Sequence, residues 1–173
     1  MKNFDYQLDY KQINFRKTPY LYRIGRGEQG VLLVEPYKSE ILPHWRFKDP
    51  VTALISANFI WSMFQSYLAQ NDFVGADMSR KFLQMGWTRA RRYANHPSGL
   101  KYSVKGDIYP QALDALISKK AKSASIFKTF YDTAKSEPLY VEMYAKWRAW
   151  ESACDAPSAD NMPVRPLWLD LID

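Results

Sequence analysis

The chain has 173 residues, 47% hydrophobic and 16% aromatic, which is enough apolar surface for one ordinary core and argues against a globally disordered chain. Its 24 Lys and Arg exceed 18 Asp and Glu, giving a net charge of +6. One cysteine and two histidines fall short of the roughly four ligands a Cys/His zinc site needs, and a lone Cys154 excludes an intrachain disulfide and fits a reducing, cytoplasmic setting.

At the N-terminal end, Phe4, Tyr6, Leu8 and Tyr10 alternate with polar residues, the period of a half-buried strand. This stretch carries Asp5 and Asp9 and has no apolar run, so it does not read as a signal peptide. Tyr20 to Ile24 and Val31 to Val34 then flank a glycine loop and predict a β-hairpin. Within the loop, Gly25, Gly27 and Gly30 have the spacing used where backbone amides approach phosphate, with Arg23 and Arg26 beside them. The dinucleotide-binding form of this motif needs a helix directly after it, whereas Val31 to Val34 reads as a strand. The alternative reading is a turn in which glycine supplies positive φ. Pro36 and Pro43 break the chain next. Between Tyr37 and Lys48 aromatic and basic residues interleave, which makes Trp45 a candidate for stacking on a base and His44 and Arg46 candidates for a pocket. The favoured reading of Trp45 and Phe47 is as core residues, with Lys38, Arg46 and Lys48 at the rim.

Helical periodicity begins at Asp49, a capping residue, followed by Pro50 at the first helical position. Residues 51–71 carry no charge over a length that would span a bilayer, yet more than a third of them are polar, so a soluble helix is expected and a membrane partner is not. A second helix is predicted over 73–95, stopped by Asn95, Pro97 and Gly99. Pro110 to Ser118 reads as a short helix. Ile126, Phe127, Phe130, Tyr131 and Ala134 mark another, and Pro138 opens a last one. The expected fold is α+β and mostly helical: four to five packed helices with a small N-terminal β-hairpin or short antiparallel sheet. Residues 1–152 form the domain, and 153–173 form a proline-containing linker and tail. In that tail Trp168, Leu169, Leu171 and Ile172 are candidate anchors for a protein partner, or residues that fold back on the core.

The charge is unevenly placed. Residues 78–106 hold seven Lys and Arg and no acid, which leaves the rest of the chain close to neutral. On a helical projection, Arg80, Lys81, Gln84, Arg91, Arg92 and Asn95 share one face with Asp77, opposite Met78, Phe82, Leu83 and Met85. Such a face suits phosphate oxygens. Lys101 extends it, and Lys119, Lys120 and Lys122 form a second acid-free stretch. Surface basicity that serves solubility is the plainer reading. Arg89 projects from the apolar side, so it is expected either to be buried in an internal ion pair or to point into a pocket. Arg89→Ala is accordingly expected to be far more damaging than Arg80→Ala.

Three runs together resemble a family. They are Phe4 to Tyr10, Gly27-Glu28-Gln29-Gly30 through Pro43-His44-Trp45-Arg46-Phe47, and Phe73-Val74-Gly75-Ala76-Asp77-Met78 through Arg89-Ala90-Arg91-Arg92-Tyr93-Ala94-Asn95-His96. The family is one of small proteins of bacteria and tailed phages known only as a domain of unknown function, and it covers about residues 4–150. The resemblance implies no activity, fold or site.

Catalytic patterns are scarce. His44 and His96 lie in different segments, Cys154 adjoins the linker, and no H-E-x-x-H or nucleophile-elbow motif occurs. The leading expectation is a non-catalytic nucleic-acid-binding domain, with no metal and no cofactor. The rival is a protein-interaction module that docks through its tail and aromatic surface. A third reading is an enzyme for a phosphorylated or nucleotide substrate.

Overall fold

The structure, a computed structural model, describes residues 4–155. The proposed anchors Trp168, Leu169, Leu171 and Ile172 lie outside the described residues. The helices are α1 (Tyr37–Ile41), α2 (Pro50–Ala69), α3 (Phe73–Asn95), α4 (Lys119–Ser136) and α5 (Pro138–Asp155), with short 3₁₀ turns at Pro19–Leu21 and Leu42–His44.

Each long helix starts where the local chemistry directs. The Asp49 carboxylate accepts from Thr52 N (2.8 Å) and Pro50 follows it. Asp72 accepts from Gly75 N (2.9 Å), and Ser118 accepts from Ala121 N (3.2 Å). Helix α3 matches its predicted span, and α5 continues to Asp155, into the stretch read as linker. Among the described residues no helix is long and apolar enough to cross a membrane.

The predicted N-terminal β-hairpin is not formed, and the α+β class is corrected to all-helical: no strand occurs among the described residues. The glycine loop closes on itself. Gln29 N donates to Arg26 O, Val31 N to Glu28 O, and both Leu33 N and Val34 N to Gly30 O, so the backbone groups a hairpin would pair across strands are used within successive turns. Gly27 and Gly30 sit at φ +61° and +83°, which permits this path. Ile24, Val31 and Val34 are buried singly in the core rather than laid along a sheet. Residues 113–117 likewise make isolated turns instead of the predicted short helix, while α1 was not foreseen.

Helix α3 is the central element. It packs against α2 and α4, with α1 and α5 in lesser contact, and every residue from Phe73 to Leu83 is buried. Gly86 sets the spacing to α4, because a Cβ there would collide with the Phe127 ring. Gly86→Ala is therefore expected to lower stability by about 1–3 kcal/mol, the usual cost of overpacking, as read from urea unfolding midpoints.

Candidate anion-binding site

Encirclement of α3 dictates what happens to its polar face. Asp77, Arg80 and Lys81 lie one helical turn apart, so their side chains meet. They meet under cover: Asp77 and Lys81 are fully buried and Arg80 is 7% exposed. Asp77 accepts from Arg80 Nε (2.9 Å), from Tyr140 Oη (2.6 Å) and from Tyr22 Oη, with Lys81 Nζ at 3.7 Å. Burial alone would raise the Asp77 carboxyl, yet Arg80 and Lys81 beside it hold it well below the ordinary carboxylate range. Burial, then the Asp77 charge, pushes the Tyr22 and Tyr140 hydroxyls up, so both stay protonated as donors.

One carboxylate thus serves two buried cations. Lys81 turns away toward the glycine loop and donates to Gln29 O at 2.7 Å. Burial brings its pKa down to about 8, against the opposing pull of Asp77. Arg80 Nη1 donates to Gln84 Oε1 (3.0 Å), and Nη2 lies 2.8 Å from Asp77. A guanidinium carries five donors, so hydrogen-bonding capacity is left over.

Arg80 opens onto a cavity of about 780 Å³. The loop supplies Ile24, Gly25, Arg26, Gly27 and Gln29; α3 supplies Arg80 and Gln84; α4 supplies Tyr131 and Lys135; and α5 supplies Tyr140, Val141, Tyr144 and Arg148, with Phe4 at the edge. Four of these residues are cations and none is Asp, Glu, His or Cys. Arg148 is partly neutralised by Glu151, at 2.8 Å, whose other oxygen accepts from Ile24 N and so ties α5 to the loop. Arg26 and Lys135 form no ion pair with any described residue. The backbone N–H groups of Gly25 and Gly27 donate to no described residue either. Gly25 is buried and Gly27 is exposed, so the unpaired Gly27 amide, with Arg26 and Arg80 beside it, supplies components of a phosphate cradle.

The structure redistributes the residues singled out from sequence. Of the proposed phosphate loop, Gly25, Arg26 and Gly27 line the cavity. Arg23 instead covers the Trp150 ring, and Gly30 faces Phe4. Of the proposed nucleic-acid face, Arg80 and Lys81 are internal, and Gln84 lines the cavity. Arg91 donates to Ala115 O (2.9 Å) and Lys120 to Phe47 O (3.0 Å), while Asn95 is half-buried. Arg92, Lys101, Lys119 and Lys122 are exposed. Trp45 packs on Phe47 and Phe82. None of the proposed pocket residues lines the cavity: Arg89 is exposed rather than buried, His44 stacks on Phe59, and Arg46 donates to Leu42 O and Trp45 O. The sequence did not single out Phe4, Ile24, Gln29, Tyr131, Lys135, Tyr140, Val141, Tyr144 and Arg148 as site residues, since separated segments converge only after folding. The i, i+4 spacings Tyr131–Lys135 and Tyr140–Tyr144–Arg148 were the available signal.

Residues 5–150 match a family model described as a domain of unknown function (DUF4385). No curated protein and no solved structure matches the chain.

Proposed function

The chain belongs to that family, and we propose that it binds a small, multiply charged phosphate compound in the cavity between the glycine loop and α3, α4 and α5. The observation that carries this reading is the buried cluster of one carboxylate and two cations, Asp77 with Arg80 and Lys81, opening through Arg80 onto a wall without acids. A buried excess of positive charge is costly unless an anion completes it. Binding rather than catalysis is proposed, because the lining offers no carboxylate, imidazole or thiol. The lone cysteine favours a cytoplasmic setting, and the sequence resemblance favours bacteria and their tailed phages.

Calorimetric titration with pyrophosphate tests the reading. Saturable binding that weakens as salt rises supports it. Absence of binding at millimolar pyrophosphate and low salt refutes it.

The cluster also predicts a pH dependence. Lys81 titrates near pH 8, among Asp77, Arg80, the Tyr22 ring and the more distant Arg148. Its proton supplies the positive excess, so affinity for the anion is expected to fall as pH rises through that value. A phosphate monoester, with a second pKa of about 6, is already fully charged there and is the probe for this pH series. Lys81→Met should bind more weakly and lose this alkaline limb, which titrations across pH will show.

A nucleic-acid partner is a second reading, carried by the exposed Arg92, Lys101, Lys119 and Lys122. It no longer draws on Arg80 and Lys81, which are internal. Binding to single- or double-stranded DNA or RNA that survives Arg80→Gln and weakens with salt would support it.

A further inference from the structure

Resting on the phosphate reading, we infer that the ligand is a nucleotide: a di- or triphosphate joined to a flat heterocycle, its phosphates on the loop side and its base on the α4–α5 side. A lone phosphate or pyrophosphate would leave most of a cavity of about 780 Å³ unfilled, whereas cavities of about 300–1,000 Å³ hold whole organic ligands. The lining also changes character from wall to wall. Loop and α3 bring Arg26, Arg80 and the exposed Gly27 but no tyrosine; α4 and α5 bring all three tyrosines of the lining, together with Lys135 and Arg148.

These tyrosines are coupled to guanidinium groups. Arg80 lies 6.0 Å from the Tyr131 ring centre, and Arg148 lies 5.3 Å from that of Tyr144. Both rings are half-buried, so part of each faces open space. Aromatic rings and arginine planes are the two protein surfaces on which bases stack. Polar groups remain to read the rest of such a ligand. Gln84 Oε1 is engaged by Arg80, while its amide nitrogen donates to no described residue, and the Tyr131 hydroxyl also has no hydrogen bond to a described residue. An amide donor and a phenol beside a planar stack suit a base edge or ribose hydroxyl.

The test compares ADP, ATP, ribose 5-phosphate, tripolyphosphate and adenosine by calorimetry at fixed ionic strength. ADP or ATP is expected to bind about ten- to a hundredfold more tightly than tripolyphosphate, the range that one base stack is worth. Tyr131→Leu and Tyr144→Leu, each first shown to be folded by its circular dichroism, should reduce nucleotide affinity by a larger factor than tripolyphosphate affinity, closing the gap between the two ligands; an equal loss for both would contradict base stacking. Equal affinity for nucleotides, ribose 5-phosphate and tripolyphosphate would overturn the nucleotide inference and keep the phosphate reading. Adenosine binding as tightly as ATP would overturn the phosphate reading. Binding of none of these compounds would overturn both.

Discussion

Asp77→Asn is expected to lower the unfolding free energy by about 3–5 kcal/mol, the cost of leaving buried charge without its partner. The asparagine keeps the shape and one acceptor, so the loss isolates the charge. Arg80 and Lys81 would then share a buried site with no carboxylate, while the Tyr22 and Tyr140 hydroxyls would lose their charged acceptor. Against a typical total stability of about 5–15 kcal/mol, this brings the domain close to unfolding. Chemical denaturation measures it, and Asp77→Asn combined with Lys81→Met should recover part of the loss. The pH profile gives an internal check. Asp77 is held below its ordinary value, so its contribution is present above the ordinary carboxylate range near pH 3.8 and is lost as pH falls through the depressed folded value. The difference between wild type and Asp77→Asn should be constant at neutral and mildly acid pH and shrink only in strong acid.

Arg80→Gln is expected to reduce anion affinity by about ten- to a hundredfold, since hydrogen bonds to charged groups are worth about 1.5–3 kcal/mol. It should cost much less stability than Asp77→Asn, because it removes one of the two cations that share Asp77 and leaves the carboxylate with Lys81. Binding and folding are thereby separated by two neighbouring positions on one helix. Arg89→Gln should change neither, since Arg89 is exposed and does not line the cavity. This inverts the order expected from sequence, and parallel titrations and melts of the two arginine variants decide it.

The inversion shows what the helical projection lacked. Local signals located α2, α3 and α5 well, because Asp49, Pro50 and Pro138 at helix starts and Asn95, Pro97 and Gly99 at the end of α3 act within about one turn of chain. A projection of 73–95 assumes that one side of the helix meets water. Helix α3 is surrounded instead, so Arg80 and Lys81 face the glycine loop and tyrosines of α4 and α5. The warning was legible in the residues themselves: Asp77 stands three and four positions before these cations and can neutralise them locally. The false hairpin had a different origin. Val31 to Val34 has strand composition, but the positive φ of Gly27 and Gly30 turns the chain before a partner strand can form. The phosphate-like spacing of that loop proved informative even though its expected strand context was absent, because Gly25, Arg26 and Gly27 reach the cavity. Tyr131, Lys135 and Arg148 join them only through long-range packing, which no local pattern encodes.

Thermal unfolding of the wild type and Arg80→Gln, with and without tripolyphosphate at constant ionic strength, addresses the buried positive excess most directly. Ligand bound to the folded state alone raises Tm. A concentration-dependent rise is expected for wild type, a small or absent rise for Arg80→Gln, and an undiminished rise for Arg89→Gln. No rise in wild type, or equal rises in wild type and Arg80→Gln, would contradict anion binding at the buried cluster.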